Sequence, residues 1–247
     1  MIKPLTRSAS VGSAFKQGLE LYKANFWFLL AATLVTGLIG IFTCGICAGP
    51  MQCGLIGITL ALLRRQEPKP EFENLFDGFQ KFLPSFVSSL VLTSISIGLV
   101  MFLKLAFFLF GLLLSSSAFE YVPAAVTVTL KIITVLVQII VVNCLSVIGS
   151  SMTTWALFLV QDQNATISEA IIEPFKLLGN KWFWSVILVE FVATLLAYIG
   201  ILACCIGAIF TAPIVVCMVA VAYEEVHGKP DELLEVPCGP APDQFAQ

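Results

Sequence analysis

Two groups of side chains in this 247-residue chain are of types that do chemistry in or beside a membrane. The first is thiol: Cys44 and Cys47 stand as Cys44-Gly45-Ile46-Cys47, and Cys204 and Cys205 are adjacent. Facing an oxidising compartment, such thiols form disulfides or relay electrons. The same residues suit crowded turns simply because cysteine is small and apolar. Adjacent cysteines grip a tetrahedral zinc badly, so a four-cysteine metal centre is not expected. The second group surrounds Glu190, the acidic residue well inside an apolar run. An ionisable group there is by default a proton or substrate site. Asn143, Ser146, Ser150, Ser151 and Thr154, on another apolar run, are its candidate partners. Ser146, Ser150 and Thr154 share one helical face at a spacing of four, which equally suits close packing of two helices around a hydrogen-bonded carboxyl.

Other chemistry is thinly represented. The single histidine, His227, leaves no material for a histidine triad, an H-E-x-x-H helix or a histidine metal cluster. No glycine-rich phosphate loop is present. The expectation is a non-enzymatic protein without metal or cofactor. Asn164-Ala165-Thr166 has the glycosylation pattern but falls where a cytoplasmic connection is expected.

The elements that must position these residues are apolar. Hydrophobic residues make up 58% of the chain and charged residues 12%, with a mean hydropathy of +0.96. That charge is about half of what a soluble domain carries. The net charge of -3 and pI near 5.2 lack the basic stripe that nucleic acid requires. The composition predicts an all-α, multi-pass membrane protein with one domain over residues 1–224 and a polar, disordered cytoplasmic tail over 225–247. The first 25 residues are expected to be a charged surface helix rather than a cleaved leader.

One unit recurs: a short amphipathic helix feeding a tight membrane hairpin. Val11, Ala14, Phe15, Gly18, Leu19 and Tyr22 line one helical face, and Ile167, Ala170, Ile171, Pro174, Phe175 and Leu178 repeat it 156 positions later. Gly18 and Pro174 stand at matched positions and suggest a bend in each. Thr166 and Glu169 have capping-box spacing. Between the two copies, Phe72, Leu75, Phe76, Phe79 and Leu83 predict a third surface helix. The units run over about 10–63, 71–160 and 166–223, as parallel internal repeats. The expected spans are Phe26–Phe42, a second ending at Leu63, Phe86–Leu114, Val122–Val160, Trp182–Gly200 and Ile206–Tyr223. The third and fourth are long for a hydrocarbon core of about 30 Å, so they overshoot, tilt or bend, or 122–160 holds two spans.

Charge favours six spans over seven. Of the 13 Lys and Arg, 11 fall on one side if there are six, and the turns near 44–50 and 203–207 carry none. That is the positive-inside pattern, with both termini cytoplasmic. Lys104 and Lys131 then sit toward the outer ends of their spans, able to snorkel or meet Glu120. Trp27, Trp155, Trp182 and Trp184 all fall near the cytoplasmic interface, as an aromatic belt would place them.

Several stretches carry a likeness. They are Leu21-Tyr22-Lys23-Ala24-Asn25-Phe26-Trp27, Gly49-Pro50, Phe72 with Leu75-Phe76-Asp77-Gly78-Phe79, Trp155 through Asp162, and Ala220-Val221-Ala222-Tyr223. In that order, over about 11–224, they resemble the membrane domain of bacterial glycerophosphoryl diester phosphodiesterases and related bacterial integral membrane families. None of these motifs is a catalytic signature, and no phosphodiesterase domain is expected within these 247 residues. The resemblance implies an inner (plasma) membrane placement and no activity. The function expected is a membrane module that binds lipid or a protein partner, or assembles with itself. A small transporter or permease component using Glu190, and a thiol-disulfide redox protein, are the alternatives.

Overall fold

In a computed structural model, which describes Leu5 and residues 7–114, 124–203 and 205–227, every regular element is helical. In chain order they are α1 (Val11–Ala24), α2 (Phe26–Phe42), α3 (Ala48–Leu63), a 3-10 helix (Phe72–Lys81), α4 (Phe82–Leu114), α5 (Ala124–Gln163), α6 (Ile167–Leu177), α7 (Lys181–Ala203) and α8 (Cys205–Val226). Among the described residues four helices are long and apolar enough to cross a membrane, and a fifth crossing results if α1 and α2 count as one bent span.

The bend between α1 and α2 is 98°. It falls at Asn25, whose φ of -126° and ψ of 35° leave the helical region while its backbone N–H still donates to Leu21 and Tyr22. The side-chain amide of Asn25 donates to the Leu21 carbonyl as well, at 3.2 Å, so one polar residue ends α1 and starts α2. Gly18 lets α1 lie against α8, because a Cβ there would come within 3.0 Å of the Met218 backbone nitrogen. The buried face of α1 is Ala14, Gly18 and Tyr22, and α6 buries Ala170 and Pro174.

The segment expected to be a third surface helix is a 3-10 helix that runs straight into α4. Its buried residues are Leu75 and Gly78, three apart as a three-residue turn requires, while Phe72, Phe76 and Leu83 stay exposed. The tight winding brings its backbone against α3. A Cβ on Gly54 would sit 1.9 Å from the Leu75 carbonyl oxygen, and one on Gly78 would sit 2.0 Å from that of Pro50. Two glycines therefore permit a backbone-to-backbone contact that no side chain would fit.

The α5 helix is a single element of 40 residues, which leaves no turn for two crossings inside it. At 1.5 Å per residue it is roughly 60 Å long, and its partner α4, with 33 residues, roughly 50 Å. Their hydroxyls are satisfied within the helix: Thr129, Thr134 and Ser146 each donate to the carbonyl four residues back. Large apolar residues from Leu90 to Leu113 and from Val126 to Val141 are exposed along this pair.

The core lies at the other end. One cluster gathers Trp155, Phe158, Phe183, Met218 and Tyr223 from α5, α7 and α8. The second joins Tyr22, Leu29, Met51, Ile58, Leu75 and Cys217. Trp155 is not a belt residue. It is 2% exposed and stacks near-parallel on His227, with ring centroids 5.6 Å apart, while Trp27 and Trp184 are exposed. Helix α8 continues through Glu224, Glu225 and Val226, and His227 follows in a turn. Glu120 and residues 228–247 lie outside the described residues.

Candidate functional site

The most elaborate polar assembly sits where α3, α5 and α8 end. Arg64 follows the last apolar residue of α3, and its guanidinium meets two carboxylates from distant elements. Nη1 lies 2.5 Å from Asp162 Oδ1, and Nε donates to Glu224 Oε1 at 2.6 Å. Nη2 also pairs with Glu224 Oε1. The Asp162 and Glu224 side chains are 10% and 2% exposed, and the fork of the guanidinium pairs with both. Burial works against the Arg64 charge, but the hydrogen bonds and charges of Asp162 and Glu224 outweigh it and hold the guanidinium above its ordinary pKa.

The assembly continues through an aromatic relay. Tyr223 donates its hydroxyl to Asp162 Oδ2 at 3.0 Å and accepts from Gln163 Nε2 at 2.9 Å. Phe158 stacks on Tyr223 with centroids 4.6 Å apart, and the His227 ring packs against Trp155 and Tyr223. Two further contacts close helix ends. Lys81 donates to the carbonyls of Val160 and Gln161, at 3.2 and 2.7 Å, placing a cation at the C-terminus of α5. Glu225 accepts from the Ser10 backbone N–H at 2.8 Å and from the Ser13 hydroxyl, placing an anion at the N-terminus of α1. All this binds charge to structure.

Sequence reasoning did not single out this assembly. The signal was there: Arg64, Asp162 and Glu224 are each the first charged residue after a long apolar run.

Glu190 is where an intramembrane site was expected. It lies on α7, 6% exposed, and the Thr154 hydroxyl of α5 approaches its Oε1 at 3.5 Å. Oε2 has no hydrogen-bond partner among the described residues. Ser150 and Ser151 stand beside the carboxyl, but each gives its hydroxyl proton to the Val147 carbonyl at 2.9 Å. Asn143 and Ser146 do not reach the carboxyl. Asn143 lies closer to the N-terminus of α5, where its Oδ1 accepts from Tyr198 at 3.4 Å, and its amide donates to the Ile139 carbonyl. Ser146 is exposed and bonds the Val142 carbonyl.

The outer thiols are partly described. Cys44 is exposed, with a positive φ of 50°, and Cys47 directly precedes α3; both are free. Cys204, like the side chain of Cys205, lies outside the described residues. No three His, Cys, Asp or Glu side chains group as a metal site among the described residues. No protein-family model, no curated protein and no solved structure matches the chain.

Proposed function

We propose that the chain is a non-enzymatic, multi-pass membrane module that binds lipid or a protein partner through its surface helices and outward helix faces. The observation that carries this reading is the contrast between the two ends of the molecule. Polar side chains are spent on fastening helix ends around Arg64, whereas α4 and α5 expose apolar residues over most of their length. In water such a face would aggregate; in lipid it is solvated.

The proposed topology has six crossings, α2, α3, α4, α5, α7 and α8, with both termini cytoplasmic in a cell inner membrane. Helices α2 and α3 have 17 and 16 residues, roughly 25 Å each, short but within reach of a locally thinned bilayer. The Lys and Arg distribution supports it: Lys16, Lys23, Arg64, Arg65, Lys69, Lys81, Lys176 and Lys181 share one side in this arrangement. We further propose that α1–α3 and α6–α8 are parallel repeats, because the buried pair Ala14 and Gly18 recurs as Ala170 and Pro174 at the same offset. Kinship with the membrane domain of the glycerophosphodiesterases belongs to the same proposal.

Native mass spectrometry of the protein released from mild detergent, before and after reduction, tests the reading. Retained lipid or a partner subunit supports it. A bare monomer whose mass changes only on reduction overturns it in favour of the thiols. A second reading, a small transporter, is favoured by the unpartnered Oε2 of Glu190 alone. Glu190→Gln that folds normally but loses a proton-coupled flux would establish it; loss of folding would assign Glu190 to packing.

A further inference from the structure

Helix α1 and the end of α3 enclose a cleft of about 420 Å³, roofed by the connection that follows Arg64. Its wall carries two cations, Arg65 and Lys69, and two carboxylates, Glu20 and Glu67. Its floor is apolar, with Leu21 of α1 and Leu62 of α3. Among the described residues no ion pair engages Glu20, Glu67 or Lys69. The cleft opens where the apolar run of α3 gives way to charge, at the level where phospholipid heads lie when α3 is in a bilayer.

We infer that this cleft is a headgroup site for a phospholipid bearing a primary ammonium, an assignment that rests on the lipid-binding reading above and names the lipid. Lys69 takes the phosphate, as a flexible point charge with three N–H donors does. Glu20 and Glu67 take the ammonium, which offers three N–H donors. The leucine floor receives the start of the acyl chains. Two classes of competitor are disfavoured by the same wall. A choline head has no N–H to donate, and the lining contains no aromatic ring to cage a quaternary ammonium. An uncharged glycerol head leaves both carboxylates facing a net anionic lipid.

The test offers the full-length protein in mild detergent an equimolar mixture of phosphatidylethanolamine, phosphatidylcholine and phosphatidylglycerol, and reads retained lipid by native mass spectrometry. The expected result is phosphatidylethanolamine in about tenfold excess, the worth of charge-assisted hydrogen bonds that the other heads cannot make. Glu20→Gln with Glu67→Gln, both on the surface, should bring phosphatidylethanolamine to parity with phosphatidylcholine. Ala24→Phe, which fills the cleft without changing its charge, should remove the selective adduct. Equal retention of the three lipids, selectivity that survives both variants, or displacement by equimolar soluble glycerophosphoethanolamine would each overturn the site. A protein that retains no lipid at all overturns the lipid-binding reading itself.

Discussion

Glu225 caps the start of α1 from 215 residues beyond the N-cap residue: its carboxylate accepts from the backbone N–H of Ser10 at 2.8 Å. Ser10 occupies the N-cap position of α1 but makes no side-chain cap of its own. The anion for that helix terminus is supplied by α8 instead. Replacing Glu225 by Ala should cost about 1 kcal/mol, the usual worth of a cap, and loosen the first turn of α1. Hydrogen exchange is the measurement, with faster exchange at residues 11–14 and little change in α3.

Removing Arg64 is expected to cost more, because it strands two carboxylates. Arg64→Ala leaves Asp162 and Glu224 buried beside each other, at about 3 kcal/mol of destabilisation for a broken buried pair. Adding Glu224→Gln to Arg64→Ala should recover part of the loss. Thermal unfolding in detergent, arranged as a double-mutant cycle, reads both; additivity of the two changes would deny the coupling.

The contact between α3 and the 3-10 helix tolerates no Cβ. Gly54→Ala and Gly78→Ala should each lower stability by about 1–3 kcal/mol, since each new methyl group meets a carbonyl oxygen rather than a side chain that can turn away. Gly37→Ala is the control, as nothing lies within 4 Å of its added Cβ. A melting temperature unchanged by the first two would contradict the packing.

Glu169 gives a pH dependence of defined sign. Hydrogen bonds from the Thr166 backbone and hydroxyl hold its carboxyl below the ordinary value of 4.5. A lowered folded-state pKa means that its contribution to α6 is fully present above the ordinary value and is lost as pH falls through the lowered one. Amide protection at residues 167–170, corrected for intrinsic exchange, should therefore fall on acidification below pH 4.5. Glu169→Gln keeps a capping partner but no titration, so its protection should stay flat.

What could be read from the sequence was local. Thr166 and Glu169 were legible because a capping box is a spacing of three, and both halves of it form. The apolar runs likewise became α2, α4, α5, α7 and α8 with ends displaced by a few residues. The winding of 72–81 was not legible, since Phe72, Leu75, Phe76 and Phe79 fit a turn of 3.6 residues as well as one of 3.0; contact with Gly54 and Pro50 decided it. Trp155 fitted an interfacial belt by position, and only the arrival of Phe183, Tyr223 and His227 buries it. The partners of Arg64 are 98 and 160 residues away, a separation no local pattern records. For Glu190 the sequence offered five partners; the helix pairing keeps Ser150, Ser151 and Thr154 and sends Asn143 to Tyr198.

The length of the α4–α5 pair has a consequence for the lipid around it. Two apolar rods of 33 and 40 residues exceed a hydrocarbon core of about 30 Å, whereas α2 and α3 fall short of it. In the proposed six-crossing topology a bilayer holding this molecule would be stretched on one flank and pinched on the other, at fractions of a kcal/mol per ångström of mismatch. Elastic energy of that kind is lowered when flanks of equal height meet, so in that topology the uneven profile would sort copies toward one another and toward thicker patches of membrane without any specific contact between them.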